Sequence, residues 1–155
     1  MLAIGDRAPD FFLASNRGEP VRLSSFTGRK AVVVYFYPKD DTPGCTMEAC
    51  GFRDSYEQFA AAGAEVIGIS SDEFERHRAF AVRYGLEFIL LSDSNGKVRE
   101  QYGVKQTAFV LPGRTTFVID KEGIVRHRFT SQFQIGRHID EALAVVKRLA
   151  PPDAT

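Results

Sequence analysis

Continuous apolar runs along the chain predict strands that are buried on both faces. The run at residues 31–37, AVVVYFY, consists of β-branched, aromatic and other apolar residues, and shorter runs follow at residues 65–70 and 88–91. Segments in which apolar residues recur three and four positions apart predict helices. These helices are expected at residues 45–62, 73–84, 97–102 and 138–149. Strands therefore alternate with helices through the middle of the chain.

Two hairpin patterns lie outside this alternating region. Their turns are Asn16-Arg17-Gly18 and Lys121-Glu122-Gly123, and their strands are residues 10–14 with 21–23 and 115–120 with 124–129. Strands that alternate with helices indicate a parallel sheet, to which the second hairpin adds antiparallel strands. We therefore expect an α/β fold with a mixed central sheet, helices on both faces and an N-terminal β-hairpin. A single domain spanning residues 1–155 accommodates it.

The charge balance disfavours several classes of partner. Lys plus Arg and Asp plus Glu each number 20, so the net charge is zero, whereas nucleic acids and anionic membranes usually require a basic excess. No apolar run approaches the roughly 20 residues of a membrane span. Residues 1–10 lack the basic segment and apolar stretch of a secretory signal. We expect a cytoplasmic protein without nucleic-acid or membrane partners.

Cys45 lies where a predicted strand and loop give way to a helix. In α/β sheets this carboxyl end of a strand is where functional sites lie. The helix N-terminus offers unpaired N–H groups and a partial positive charge, which favour the nucleophilic thiolate. The alternative is a buried, inert cysteine, a common state of free cysteines. A loop stiffened by Pro38 and Pro43 and a second cysteine nearby favour the reactive interpretation.

Cys50 lies five residues after Cys45. Along an intact helix this spacing is a rise of about 7.5 Å and a rotation of about 140°, whereas a disulfide needs Cα atoms within roughly 7 Å. The two cysteines can therefore bond only if the start of the helix unwinds. Alternatively, Cys50 is a core residue and an external thiol reacts with Cys45. The spacing disfavours a C-x-x-C reductase, and His77, His127 and His138 lack zinc-ligand spacing.

Other polar residues could support thiolate chemistry. The Thr42 hydroxyl could donate to the sulfur or bind an incoming peroxide. Cleavage of a peroxide develops negative charge on the leaving oxygen, which a fixed guanidinium can stabilise. Arg114 precedes a predicted strand and is one candidate, and Arg53 and Arg29 are others. Glu48 could relay a proton or anchor the arginine, or it could be an ordinary acid in the first helical turn.

The segment from Tyr35 to Cys50, YFYPKDDTPGCTMEAC, resembles the peroxiredoxins. It contains their Pro-x-x-x-Thr-x-x-Cys signature at Pro38, Thr42 and Cys45. The second cysteine, five residues on, is similar to the branch called bacterioferritin comigratory protein or peroxiredoxin Q. The similarity extends to residues 5–11, 68–72 and 111–120 and, more loosely, to residues 132–143.

This resemblance implies a thioredoxin-like fold and a thiol-dependent peroxidase that reduces hydrogen peroxide and organic hydroperoxides. It implies that Cys45 is the peroxidatic residue, that Cys50 closes an intramolecular disulfide, and that Thr42 and Arg114 belong to the active site. The predicted substrate-binding residues are Pro38, Thr42, Gly44 and Glu48. Thioredoxin or a similar dithiol protein is the implied reductant. No metal or organic cofactor is implied, and the branch is often monomeric. We expect no transit peptide of the kind found in its plastid members.

One alternative belongs to a different class of function. In a redox-sensing or chaperone-like binding protein, the same disulfide would unwind the helix and expose apolar residues such as Phe52 to a partner. Substrate preference depends on the surroundings of the thiol. Phe36, Phe109 and Phe133 could line an apolar entrance for organic hydroperoxides, or they could be ordinary core residues.

Overall fold

A computed structural model describes residues 1–104 and 114–150, and the predicted order of elements is confirmed within them. The strands are β1 (Phe12–Ser15), β2 (Val21–Arg22), β3 (Ala31–Phe36), β4 (Ala64–Ser70), β5 (Ile89–Ser92), β6 (Thr115–Ile119) and β7 (Val125–Thr130). The helices are α1 (Pro43–Asp54), α2 (Tyr56–Ala61), α3 (Phe74–Tyr84), α4 (Lys97–Gln101) and α5 (Ile135–Leu149), with a 3-10 helix at Leu23–Phe26. The helix expected over residues 45–62 is thus divided at Ser55.

The seven strands form one mixed sheet in the order β2-β1-β5-β4-β3-β6-β7. The two central pairings follow from the alternation of strands and helices: β3 and β5 both pair with β4 in parallel. The hairpins supply the antiparallel edges, because β1 joins β5 and β6 joins β3. The predicted mixed sheet with an N-terminal hairpin is therefore confirmed.

Both faces of the sheet are buried, as the apolar run in β3 requires. Alternate residues of β3 face opposite sides: Ala31, Val33 and Tyr35 on one, and Val32, Val34 and Phe36 on the other. The first face is covered by α1, α2, α3 and α5, and the second by α4, the 3-10 helix and the N-terminal segment. Helices lie on both faces of the sheet, but most of them cover the first face.

The expected aromatic entrance is not formed as proposed from the sequence. Phe36 is fully buried on the face opposite Cys45, so it is a core residue. Phe133 is 94% exposed, and Phe109 lies outside the described residues. Within residues 1–104 and 114–150, no helix is long and apolar enough to span a bilayer.

Candidate active site

Cys45 lies in the first turn of α1, at the end of the loop that leaves the central strand β3. The helix begins after Thr42, which has extended backbone dihedrals, and Pro43 occupies the first helical position. Proline is favoured there because its missing N–H would have had no partner in the helix. Cys45 is only 1% exposed, so its sulfur lies at the helix N-terminus in a largely water-free environment.

Arg114 connects the sulfur of Cys45 to the carboxylate of Glu48. Its Nη2 donates to Cys45 Sγ at 3.4 Å, and its Nη1 donates to Glu48 Oε1 at 2.6 Å. Burial lowers the pKa of Arg114, but the negative charges of Glu48 and Cys45 outweigh that effect and raise it overall. The guanidinium is therefore a fixed cation that contacts the sulfur directly.

The other candidate arginines lie elsewhere. Arg53 donates to the backbone carbonyl of Tyr84 at 2.8 Å and pairs with Asp54. Arg29 precedes β3, at the end of the strand away from Cys45, and donates to the carbonyl of Ser25. Of the three arginines considered from the sequence, Arg114 alone is seen to contact Cys45.

Glu48 is a fully buried acid rather than a solvated residue of the first turn. Burial raises its pKa to about 7, although Arg114 opposes the shift. Its Oε2 has no hydrogen-bond partner among the described residues and lies 3.6 Å from His138 Nδ1. Burial therefore disfavours the charged form of Glu48, whereas the contact with Arg114 favours it.

His138, on α5, is a neighbour of Glu48 that the sequence reasoning did not assign to the site. Its Nε2 lies 2.8 Å from the carbonyl of Ser131, and its Nδ1 lies 2.7 Å from the hydroxyl of Thr116. Since a carbonyl only accepts, Nε2 carries the proton, and neutral His138 accepts from Thr116 at Nδ1. Burial lowers the pKa of His138 to about 4.

The loop before α1 places the remaining predicted residues. The Thr42 hydroxyl donates to the carbonyl of Lys39 at 2.8 Å, so of the two options considered from the sequence this geometry favours binding of a ligand over donation to the sulfur. Its lone pairs stay available to accept from a ligand. A Cβ on Gly44 would lie 3.0 Å from Arg114 Nη2, so glycine leaves room for the guanidinium. Pro38 is half-buried at the start of the loop.

Cys50 is half-buried on the same intact helix, and both cysteines are free thiols. The continuous helix keeps them apart by a rise of about 7.5 Å. Beyond Cys50, the helix is anchored by Phe52, whose ring stacks on Tyr35 with centroids 4.6 Å apart. Unwinding of α1 is therefore easiest at its start, before this anchor.

A second cation near the thiol, Arg99 on α4, also escaped the sequence reasoning. Its Nη2 donates to the carbonyl of Tyr37 at 3.3 Å, at the beginning of the loop that leads to Cys45. Burial lowers the pKa of Arg99, while the negative charges of Asp93 and Cys45 oppose that shift. Nothing local in the sequence around Arg99 signals this role, because α4 approaches the site only through the folded sheet.

The side chains of Asp40, Asp72 and His77 also meet, with possible ligand atoms within 4.8 Å of one another. Their polar atoms are already engaged. His77 Nδ1 lies 2.6 Å from Asp40 Oδ2, and Nε2 lies 2.9 Å from the carbonyl of Leu91. Neither ring nitrogen is directed at an open coordination position, so the cluster fits a hydrogen-bond network better than a metal site.

Comparison with known proteins agrees with this geometry. The AhpC/TSA family matches residues 4–128. A chloroplastic Peroxiredoxin Q from Sedum lineare is 55% identical over 146 residues, which are 94% of this chain and 78% of that protein. The corresponding protein of Triticum aestivum is 52% identical, over 94% of this chain and 67% of its own.

Solved structures show the same relationship. Peroxidoxin BcpB from Mycobacterium tuberculosis superposes with a TM-score of 0.90 at 39% identity, covering 97% of this chain and 100% of that one. A cysteine-to-serine mutant of Xanthomonas campestris Peroxiredoxin Q superposes with a TM-score of 0.82 at 33% identity, covering 90% and 92%. The thioredoxin-like fold implied by the sequence resemblance is therefore confirmed.

One expectation is wrong. The sequence favoured a cytoplasmic protein, but the similar curated proteins are named chloroplastic.

The family of the chain follows from several findings that agree. The family match, the similar curated proteins, the superposed structures and the buried cysteine at the start of α1 all indicate the same family. The chain belongs to the AhpC/TSA family, as a peroxiredoxin of the Q type.

Proposed function

We propose that Cys45 is the peroxidatic residue of this thiol-dependent peroxidase and that Cys50 closes an intramolecular disulfide with it. The observation that carries the proposal is the contact of Arg114 Nη2 with Cys45 Sγ at 3.4 Å, made by a guanidinium that Glu48 holds at 2.6 Å. A buried sulfur at a helix N-terminus, paired with a fixed cation, is arranged to react as a thiolate.

In the first step, the Cys45 thiolate attacks the terminal oxygen of a hydroperoxide. The S–O bond forms as the O–O bond breaks, and the leaving oxygen takes the bonding electron pair and a proton to become water or an alcohol. Cys45 becomes a sulfenic acid. Arg114 stabilises the thiolate before the reaction and the negative charge on the leaving oxygen during it.

The other predicted site residues have supporting roles in this proposal. Glu48 positions Arg114 through their 2.6 Å hydrogen bond. The Thr42 hydroxyl, whose proton is committed to Lys39, accepts a hydrogen bond from the O–H of the peroxide. Gly44 provides the space beside the guanidinium, and Pro38 restricts the loop that places Thr42.

In the second step, the start of α1 unwinds and the Cys50 thiolate attacks the sulfur of the sulfenic acid. The S–O bond breaks as the S–S bond of the Cys45–Cys50 disulfide forms, and the departing hydroxide takes up the proton that Cys50 released and leaves as water. Thioredoxin or a similar dithiol protein then reduces this bond by thiol–disulfide exchange. Because both cysteines belong to one chain, a monomer can complete the cycle.

The alternative of a binding protein that exposes Phe52 has less support. Phe52 is fully buried between aromatic rings, with centroids 4.6 Å from Tyr35 and 5.7 Å from Phe59. It lies beyond Cys50, and the disulfide requires unwinding only up to that residue. Exposure of Phe52 would need a further, unfavourable loss of packing.

Stopped-flow reaction of the reduced protein with one equivalent of hydrogen peroxide, followed by peptide mass analysis, tests the proposal. We expect a fast loss of two hydrogens that maps to a Cys45–Cys50 linkage, and no fast reaction in the matched C45S variant. Oxidation that stops at the Cys45 sulfenic acid would remove Cys50 from the cycle. A wild-type rate no faster than that of a free thiol would overturn the assignment of Cys45.

A further inference from the structure

We propose that His77, on α3, is a positioning residue for the peroxide step, which acts through Asp40 on the loop that carries Thr42 into α1. The inference rests on the proposed role of Cys45. His77 lies outside the segment from Tyr35 to Cys50 and does not take part in the contact between Arg114 and Cys45. It starts from the hydrogen-bond cluster around Asp40.

Asp40 is held by three partners from different parts of the fold. Its Oδ1 accepts from the Tyr37 hydroxyl at 2.5 Å, and its Oδ2 lies 2.6 Å from His77 Nδ1. Its backbone N–H donates to Asp72 Oδ2 at 2.8 Å, and Ser70 fixes the same carboxylate oxygen at 2.7 Å. The middle of an otherwise irregular loop is therefore anchored to the residue after β3, to α3 and to the segment that follows β4.

The geometry requires a proton in the contact between His77 and Asp40. His77 Nε2 lies 2.9 Å from the carbonyl of Leu91, which only accepts, so Nε2 is a donor. A neutral ring would then present a lone pair at Nδ1 to a carboxylate oxygen 2.6 Å away. One further proton, on Nδ1 or on Oδ2, converts this repulsion into a short hydrogen bond.

Burial makes this contact strong and its loss costly. The side chains of His77 and Asp40 are both completely inaccessible to solvent, so water cannot replace either partner. Burial and the negative charge of Asp40 raise the pKa of Tyr37 well above its ordinary range. Tyr37 therefore keeps its proton and donates it to Asp40.

The loop needs such an anchor because the next residue has an unfavourable backbone conformation. Asp41 has a φ of 65°, in the left-handed region that residues other than glycine seldom adopt. Such conformations persist where the surrounding structure holds them. On one side Asp40 is fixed by His77, and on the other Thr42 bonds to Lys39 at 2.8 Å. The anchor therefore determines where Thr42 and the start of α1 lie.

The anchor lies outside the segment that must unwind for the disulfide. Its members are Tyr37, Asp40, Asp72, His77 and Leu91. Loss of the anchor should slow the attack of Cys45 on peroxide, because displacement of a reacting group by about 1 Å can reduce a rate about 100-fold. It should not slow disulfide formation, which proceeds by opening the start of α1.

The first test uses two His77 variants in the full-length reduced protein. In H77N the side-chain amide can donate to Asp40 from the position of Nδ1, whereas in H77Q it can donate only to Leu91 from the position of Nε2. Stopped-flow measurement with hydrogen peroxide separates Cys45 oxidation from disulfide formation. We expect the oxidation rate constant to fall at least tenfold in H77Q and to stay within threefold in H77N, with disulfide formation unchanged or faster in both.

A second pair tests the same contact if H77Q does not fold. In D40N the amide N–H can donate to neutral His77 while Oδ1 still accepts from Tyr37, whereas D40L has a similar volume and neither interaction. We expect D40L to lose at least tenfold in the oxidation step and D40N to lose less than threefold. V125A is the stability control, because Val125 is buried at the far end of the sheet.

The outcomes are distinct. The inference is overturned if D40L or H77Q oxidises as fast as the wild type, if D40N loses as much rate as D40L, or if V125A slows oxidation equally at the same loss of Tm. These results all presuppose a fast wild-type reaction. A wild type no faster than a free thiol would instead overturn the proposed function, and the role of His77 with it.

Discussion

Arg114 and Glu48 form a hydrogen bond of 2.6 Å in the interior of the protein, beneath the first turn of α1. The arginine is 4% exposed and the glutamate is fully buried. Because the same guanidinium also contacts Cys45, the position of the cation at the thiol depends on the carboxylate. Removal of either partner would leave the other buried without its hydrogen-bond partner.

The R114K variant should lose most of the peroxide reaction. Lysine keeps the positive charge, but one ammonium group cannot reproduce the planar fork that reaches Glu48 and Cys45 together. We expect a fall of about 100-fold in the second-order rate constant with hydrogen peroxide, measured by stopped flow. The matched control is R126K, whose arginine is 47% exposed and pairs with Asp120. Equal rates in R114K and R126K would contradict the role of Arg114.

The G44A variant should separate stability from activity. Alanine has the higher helix propensity, so the free energy of unfolding should be unchanged or higher by about 0.5 kcal/mol. Its Cβ would lie 3.0 Å from Arg114 Nη2, so the guanidinium must move, and we expect about a tenfold loss in the peroxide rate constant. In G136A, on α5, the new Cβ meets open space, and the rate should not change. A fully active G44A would show that Arg114 tolerates displacement.

Glu48 and His138 should give opposite pH dependences of stability. The pKa of Glu48 is raised from 4.5 to about 7 in the fold. Its contribution to the free energy of unfolding is therefore present below pH 4.5 and is lost as the pH rises through 7. The pKa of His138 is lowered from 6.5 to about 4, so its contribution is present above pH 6.5 and is lost as the pH falls through 4. Each shift corresponds to about 3 kcal/mol of stability, and in the wild type the two effects oppose each other over the same range of pH.

Single variants should reveal each half of this compensation. We expect the free energy of unfolding of E48Q to rise between pH 4 and 6.5, because only the His138 contribution remains. That of H138N should fall between pH 4.5 and 7, because only the Glu48 contribution remains. Urea unfolding of the reduced proteins at a series of pH values measures both. If both variants follow the wild-type profile, these groups do not titrate as the structure indicates.

The C50S variant should separate the two chemical steps. Cys45 and its contacts with Arg114 are unaffected, so the first peroxide reduction should keep the wild-type rate within about twofold. Without a second thiol no intramolecular disulfide can form, and thioredoxin-driven turnover should fall at least 100-fold. Coupled NADPH oxidation with thioredoxin and its reductase measures the turnover, with C45S as the inactive control. Full turnover in C50S would show that an external thiol completes the cycle.

The parts of the site predicted from the sequence are those that depend on local periodicity. The apolar run of β3, the loop with Pro38 and Pro43, and the helix that follows them place Cys45 at a helix N-terminus without reference to the rest of the chain. The separation of Cys45 and Cys50 is equally local, because two residues on one helix have a known rise and rotation. The resemblance to the peroxiredoxins singled out Arg114 among the three candidate arginines.

Only the tertiary structure decided which distant side chains surround the thiol. Glu48 could have been an ordinary solvated acid of the first turn, and it is buried because α5 packs against α1 and Arg114 contacts its carboxylate. His138, Arg99 and the Asp40–His77 pair reach the site through the strand order, which no local pattern encodes. The physical reason is that a helix or strand is specified by neighbours along the chain, whereas the charge and proton balance of a buried site is specified by whichever elements the sheet brings together.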